Sequence, residues 1–354
     1  MKRPVVVKFG SSLVAGPGGR VRRSVVRARS REIAELVRGG TPVCVVSSGA
    51  IALGLPRLGL SSRPRSLPRL QAASALGQAR LQRVWDEALG REGLAAAQVL
   101  LTAADLADRG AYLNARNTLA ALHALGAVPV VNENDATATD EITFGDNDAL
   151  AAQVAILVRA RLLVLLTEVE GVYSRAPGTP GAELLAAGAD AAAAQLADGS
   201  PLGKGGMRSK ILAAELAASS GIPTVIAGGT GVDVLGEIVA GEPRGTRFQP
   251  GERAPSAFKL WLRHGKPVAG RVHVDAGARR AVTRDGASLL AVGVTSVEGG
   301  FEPGDAVELV GPDGTAFAKG IAGVPASELV AGPRGVEAVH RDRLVLYGPP
   351  EGLA

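Results

Sequence analysis

The sequence predicts an α/β fold: a mainly parallel sheet covered by helices on both faces, followed by a small β-rich domain. Three observations carry this. Through about residue 240 the chain alternates short apolar runs with longer amphipathic ones, the pattern of strand–helix repeats. A Pro-, Gly- and charge-rich stretch at 241–256 then breaks the pattern and reads as a linker. Beyond it the texture becomes short alternating runs between glycine turns.

Taken in order, the strands of the first part are predicted at 5–9, 43–47, 97–101, 128–132, 162–167 and 224–227. Each is a short run rich in Val or Leu and bounded by turn residues, as strands buried on both faces should be. Apolar residues at helical spacing between them predict helices over roughly 25–37, 71–89, 103–125, 149–158 and 209–219. In the last part, 270–274, 288–294, 306–309 and 344–346 read as strands of a domain of the small all-β kind. Ligand chemistry is expected at the C-terminal ends of the parallel strands, where open α/β sheets bind their ligands.

Composition narrows the class. Hydrophobic residues make up 46% of the 354 and aromatic ones only 3%, so the core must be built from Ala, Val, Leu and Ile. The single cysteine, Cys44, excludes an internal disulfide framework and a cysteine-based zinc site. Val5-Val6-Val7 runs straight into Lys8, too short for a signal-peptide core. No stretch approaches the ~18 consecutive apolar residues that a membrane span needs. A cytoplasmic protein with no membrane partner is expected. The net charge of +5 lies wholly in the first 250 residues, since 251–354 hold 12 basic and 12 acidic groups. Arg20, Arg22, Arg23, Arg27, Arg29 and Arg31 supply much of it, and a solvated helix face accounts for them without a nucleic-acid partner.

Seven lysines stand against 32 arginines, and three of the seven fall in two glycine-bearing segments, V-V-V-K-F-G-S-S (5–12) and G-K-G-G-M-R-S-K (203–210). Such segments suit a phosphate: glycines admit backbone N–H groups to the anion while lysine adds a compact charge. The two common nucleotide fingerprints, G-x-x-x-x-G-K-[ST] and a post-strand G-x-G-x-x-G, are both absent from the sequence. Further chemistry sits at other predicted strand ends and helix starts. Ser47-Ser48-Gly49-Ala50 closes the second strand, Asn132-Glu133-Asn134-Asp135 the fourth, and Phe144-Gly145-Asp146-Asn147-Asp148 opens a helix. Each alone is an ordinary turn; together, at the ends of successive strands, they are specific.

In this order, those segments together with S-S-G-A-I-A-L-G, F-G-D-N-D-A-L-A-A and L-L-T-E-V-E-G-V-Y resemble the motifs of the amino-acid kinase family. The likeness is to its glutamate 5-kinase branch, in which a PUA domain follows the kinase domain, and it extends over nearly the whole chain. It implies a three-layer αβα sandwich for the kinase domain at 1–250, a linker and entry at 251–266, and a PUA-like domain at 267–348. The activity it implies is transfer of the γ-phosphoryl group of ATP, with Mg²⁺, to the side-chain carboxylate of L-glutamate. That is the first committed step of proline synthesis, with proline expected as an inhibitor and a homodimer or homotetramer as the assembly.

The resemblance also implies roles. Lys8 and Lys210 would flank the transferred group, with the amides of Gly10 and Gly206 assisting and Asp148 orienting both lysines. Glutamate would be held by Ser48, Asp135, Asn147 and Asn134. ATP would lie against Lys8, Gly10, Thr167, Glu168 and the run Lys204, Gly205, Gly206, Met207, Arg208, Ser209 and Lys210. Two residues depart from the family pattern, Lys204 where it has threonine and Glu168 where it commonly has aspartate. The alternatives are another kinase of the same fold, acting on acetylglutamate, carbamate, uridylate or aspartate, and an RNA-associated PUA protein. The second is disfavoured: 251–354 is neutral overall and has five aromatic residues, whereas RNA affinity draws on cationic surface and stacking platforms. RNA is not expected as a partner.

Overall fold

Val- and Leu-rich runs form a sheet wherever the sequence places them. The computed structural model describes residues 2–60, 62–138, 147–191, 206–250, 257–264, 266–330 and 335–347. The chain divides into two units, Met1–Ala254 and Pro255–Ala354. In the first, strands β1 (Val5–Phe9), β2 (Val43–Ser47), β3 (Ala96–Leu101), β4 (Val128–Glu133), β5 (Leu162–Thr167), β6 (Thr224–Gly228) and β7 (Thr246–Phe248) make one sheet. Its order is β7-β6-β5-β1-β2-β4-β3, and every neighbouring pair is parallel except β6 with β7. The three-residue β7 is an unpredicted antiparallel edge, too short to carry an alternation.

Helices α1 (Arg23–Arg38), α2 (Ala50–Gly54), α3 (Leu67–Gly90), α4 (Ala103–Ala107), α5 (Arg109–Ala124), α6 (Asn147–Leu157), α7 (Gly206–Ser219) and α8 (Val234–Ala240) connect these strands. The helix expected over 103–125 is broken at Asp108, which is extended, and its carboxylate accepts from Ala111 N at 2.7 Å to start α5 afresh. Right-handed crossovers fix the layers. The chain steps from β1 to β2 through α1 and from β5 to β6, in the other direction, through α7, so these helices cover opposite faces. α3 packs on α1, and α6 packs on α7. The result is the three-layer αβα arrangement.

Period-2 alternation in β1 decides where its one charged residue goes. Val5, Val7 and Phe9 enter the core shared with α1 and α3, with Phe9 edge-on to Trp85 at 4.7 Å. Lys8 therefore points to the other face, towards α6.

Two glycines set the approach of α2 to α3. A Cβ on Gly54 would lie 1.8 Å from Ala73 O, and one on Gly77 would lie 1.8 Å from Ala50 O. The backbones touch there, which carries the middle of α3 up against the loop that ends β2. One residue assigned to a solvated face belongs elsewhere: Arg29 is 1% exposed, pairs with Glu32 at 2.6 Å and donates to Gly231 O at 2.6 Å. Glu32 in turn accepts from Leu235 N at 2.9 Å, so this pair ties α1 to the first turn of α8.

The second unit opens with helix α9 (Ala257–His264), on residues expected to serve as linker and entry. Strands β8 (Val268–Val274), β9 (Leu289–Leu290), β10 (Val294–Glu298), β11 (Ala306–Val310), β12 (Ala316–Ala322) and β13 (Glu337–Leu346) follow, with helices α10 (Ala276–Thr283) and α11 (Ala326–Val330) between them. The order is β9-β13-β12-β11-β8-β10, with β8 and β11 parallel and the other pairs antiparallel. The run expected over 288–294 is cut by a single turn at Ala291–Gly293, and its two parts lie at opposite edges of the sheet. Lys319 on β12 is buried and donates to Lys266 O and to Arg263 O, which fastens the end of α9 to this sheet. Burial lowers its ammonium to about 8, with Glu308 opposing the shift. Among the described residues no helix is long and apolar enough to cross a membrane.

Gly77→Ala tests the close crossing. Alanine is the better helix former, yet its methyl group would overlap Ala50 O. The variant should lose about 1–3 kcal/mol, the usual cost of overpacking, read as a lowered Tm. An unchanged Tm would show that α2 and α3 are free to part.

Candidate functional site

Three elements that are distant in sequence meet at one carboxylate. Lys8 leaves β1 towards α6, Asp148 lies in the first turn of α6, and Lys210 lies on α7, one turn on from Gly206. Lys8 Nζ is 2.5 Å from Asp148 Oδ1, and Lys210 Nζ is 2.9 Å from Asp148 Oδ2. All three are buried. Ser209 Oγ also donates to Oδ2 at 3.2 Å, and Lys210 Nζ donates to Gly206 O at 3.0 Å. Burial alone would raise the Asp148 carboxyl, but the two ammonium groups outweigh it and hold the group below the usual carboxylate range. One negative charge thus holds two positive ones, and the cluster keeps a net positive charge that suits an anion.

Of the adjacent glycines, Gly10 has no structural reason to be glycine. Gly10 is extended at φ −64°, and a Cβ there would meet nothing closer than Leu166 O at 3.6 Å, with Lys8 Nζ at 4.0 Å. A Cβ on Gly206 would meet no atom of the described residues within 4 Å. Gly10 needs neither a left-handed backbone nor relief from packing. Both are open beside a lysine, as a backbone that receives a ligand would be. Gly49 differs, since its φ of +116° makes the turn that lets α2 start directly after β2.

A cleft of about 190 Å³ borders the cluster, lined in part by Ser48, Gly49, Arg63, Asn132, Asp135 and Asn147. Asn147 precedes Asp148 in the chain, so the first turn of α6 serves both places. Its Nδ2 donates to Asn132 Oδ1 at 2.7 Å, Ser48 Oγ at 3.0 Å and Ser47 O at 3.2 Å, which binds the ends of β2 and β4 to α6. Asn147 Oδ1 is buried without a hydrogen bond to any described residue, an acceptor left for a ligand. Behind this row, Trp85 Nε1 donates to Ser47 Oγ at 2.8 Å, and Asn132 Nδ2 donates to Gln78 Oε1 at 2.6 Å.

Asp135 closes the cleft on the β4 side. Burial raises its carboxyl, while a hydrogen bond from Ser74 and the charge of Arg63 pull it back. A buried carboxylate beside hydroxyl and amide groups suits a small zwitterion, with the acid facing an ammonium.

The other expected site residues fall as follows. Thr167 ends β5, and its carbonyl accepts from Gly229 N at 2.8 Å. Glu168 is half exposed and pairs with Arg22 at 3.1 Å. Met207, Arg208 and Ser209 lie in the first turn of α7. Asn134 holds the turn after β4 through its backbone, donating to Leu101 O at 2.9 Å, and it is Asn132 that lines the cleft. Lys204 and Gly205, with Phe144, Gly145 and Asp146, lie outside the described residues. Sequence reasoning passed over Arg63, Ser74, Gln78 and Asn132 as site residues. Ser74 and Gln78 occupy polar positions of a helical pattern, where nothing in the sequence marks them off from a solvated face. Arg63 is one arginine among several in its segment.

Comparison with known proteins bears on the family of the chain. Residues 3–228 match the amino acid kinase family and residues 270–341 match the PUA domain. The chain is 46% identical to a glutamate 5-kinase of Sphingopyxis alaskensis, with 97% of each chain covered. It is 44% identical to a glutamate 5-kinase of Burkholderia multivorans, again with 97% of each covered. A solved structure of the T. acidophilum isopentenyl phosphate kinase product complex is 19% identical, with 70% of this chain and 100% of that one covered at a TM-score of 0.49.

The raised carboxyl of Asp135 has a consequence for stability. A folded-state value above the unfolded one, near ~3.9, means that ionisation opposes folding. The penalty is absent below the unfolded value and complete above the folded one. Asp135→Asn should therefore raise Tm at pH 7, with the gain shrinking to nothing as pH falls through about 4. A lower Tm at pH 7 would show that the carboxylate stabilises the fold.

Proposed function

The chain belongs to the glutamate 5-kinase family, amino acid kinases with an appended PUA domain, and on that premise we propose that it transfers the γ-phosphoryl group of ATP to the side-chain carboxylate of L-glutamate. The product is L-glutamyl 5-phosphate. The observation that carries this reading is the first turn of α6, where Asn147 lines the amino-acid cleft and Asp148, the next residue, gathers Lys8 and Lys210.

In this reading glutamate lies in the cleft with its α-ammonium on Asp135. Ser48 donates to a carboxylate and Asn147 Oδ1 accepts from the ammonium, with Arg63 at the rim and Asn132, in place of the expected Asn134, on the β4 side. The side-chain carboxylate, ionised at neutral pH, needs no general base and attacks the γ-phosphorus. An O–P bond forms as the bond to the β-phosphate oxygen breaks, and ADP leaves. Two anions approach each other in this step and the transition state spreads charge over the equatorial oxygens, so positioning and charge stabilisation do most of the work. Lys8 and Lys210 supply that charge, Asp148 orients them, and the Gly10 and Gly206 amides assist.

Thr167, Glu168 and residues 204–210 form the nucleotide side. Mg²⁺ enters on the phosphates as part of the MgATP substrate. Phosphate oxygens and water are its natural ligands. Proline carries the same α-amino and carboxylate groups as glutamate, which supports inhibition through the same cleft. Family membership supports placement in the cytoplasm and assembly as a homodimer or homotetramer. The neutral C-terminal domain serves assembly or regulation in this reading, with RNA not a partner.

Release of ADP from MgATP that depends on L-glutamate, and fails with acetylglutamate, carbamate, uridylate or aspartate, is the expected assay result. Turnover with one of those four instead would overturn the reading. Lys8→Ala and Lys210→Ala should each lower kcat about 10²–10³-fold, the worth of one electrostatic donor, with little change in the KM for glutamate. Asp135→Asn should chiefly raise that KM and weaken inhibition by proline.

A further inference from the structure

Helix α3 carries Ser74 to the back of the cleft, where its hydroxyl donates to Asp135 Oδ2, and both residues are buried. One helical turn on, Gln78 reaches Asn132, which in turn receives Asn147. Residues four apart share one helix face, so a single face of α3 supports the cleft at two points. The Gly54–Gly77 contact is what permits this approach, since any side chain at Gly77 would hold α3 away from Ala50.

We propose that Ser74 is a positioning residue for glutamate: its hydroxyl fixes one oxygen of Asp135 and keeps that carboxylate ionised and aimed, leaving the other oxygen for the substrate's ammonium. The proposal rests on the reading of Asp135 given above and deepens it. Asp135 lies in a buried place that disfavours its charge, and two groups oppose this: Ser74 from α3, and Arg63 from the segment before α3. Arg63 is exposed at the rim, so its charge is screened by solvent. Ser74 is buried, and a hydrogen bond from a buried hydroxyl to a carboxylate is neither screened nor readily replaced by water. With Ser74 removed, Asp135 should take up its proton at higher pH, and its free rotation should blur the ammonium site. Because the ammonium is present in both ground and transition states, the loss falls on substrate binding more than on turnover.

Ser74→Ala removes one oxygen from a helix position and leaves the packing otherwise intact. Three quantities would be followed in the full chain: the KM for glutamate, kcat at saturation, and the acidic limb of kcat/KM against pH. The expected result is a KM raised roughly 3–10-fold, a smaller change in kcat, and an acidic limb moved up by roughly half to one pH unit, the equivalent of one hydrogen bond. Glutamate titrates identically in both assays, so the displacement reports on the protein. An unmoved limb with KM unchanged would overturn the proposal. So would a fall in kcat and Tm with no movement of the limb, because that marks a purely structural role. Asp135→Asn, measured alongside, separates the two levels of the argument. If it too leaves KM unchanged, the ammonium site itself is misassigned. If it raises KM while Ser74→Ala does not, only the role of Ser74 falls.

Discussion

Asp148 can hold two lysines only if three chain segments arrive together, and the rest of the first unit is arranged to deliver them. A buried carboxylate with two ammonium groups is costly to desolvate and is repaid only by good geometry. Here β1 must place Lys8 on the α6 side, and α6 and α7 must bring Asp148 and Lys210 within reach of each other. The central position of β1 in the sheet, between β5 and β2, fixes the first of these. The packing of α6 on α7 fixes the second.

The same layout explains why the cleft and the cation cluster adjoin. Both are built on the first turn of α6: Asn147 faces Ser48 and Asn132, while Asp148 faces the lysines. In the proposed reaction, neighbouring residues of one helix would hold the acceptor carboxylate and the transferring phosphoryl group next to each other. The opposing layer does the supporting work. Trp85 braces Ser47, Gln78 braces Asn132 and Ser74 braces Asp135, all from α3.

How much of this was legible in the sequence follows from the physics of each part. Strands buried on both faces are continuous Val and Leu runs with turn residues at either end, and all six expected ones are present within one residue at each end. Lys8, Asp148 and Lys210 stood out through their glycine and acidic neighbours, and the structure brings them together. The five-residue α2 and three-residue β7 escaped because so few residues show no period. Arg29 looked like its exposed neighbours, since burial of an arginine depends on Glu32 and on Gly231, about 200 residues away in the chain. Ser74 and Gln78 were invisible for the same reason. Their partners lie across a helix–sheet interface, and a polar residue that braces a site looks, in sequence, like one that meets water.

In the proposed reaction the clamped lysines act on the phosphoryl group in transit and not on the resting nucleotide. The most direct test is the affinity for MgADP with fluoroaluminate, a mimic of the transferring phosphoryl group, in the presence of glutamate, compared with the affinity for MgADP alone. In Lys8→Ala the mimic should bind about 10²–10³-fold more weakly than in the parent chain, while MgADP alone should change only a few-fold. Equal losses for the two ligands, or undiminished binding of the mimic, would contradict the account.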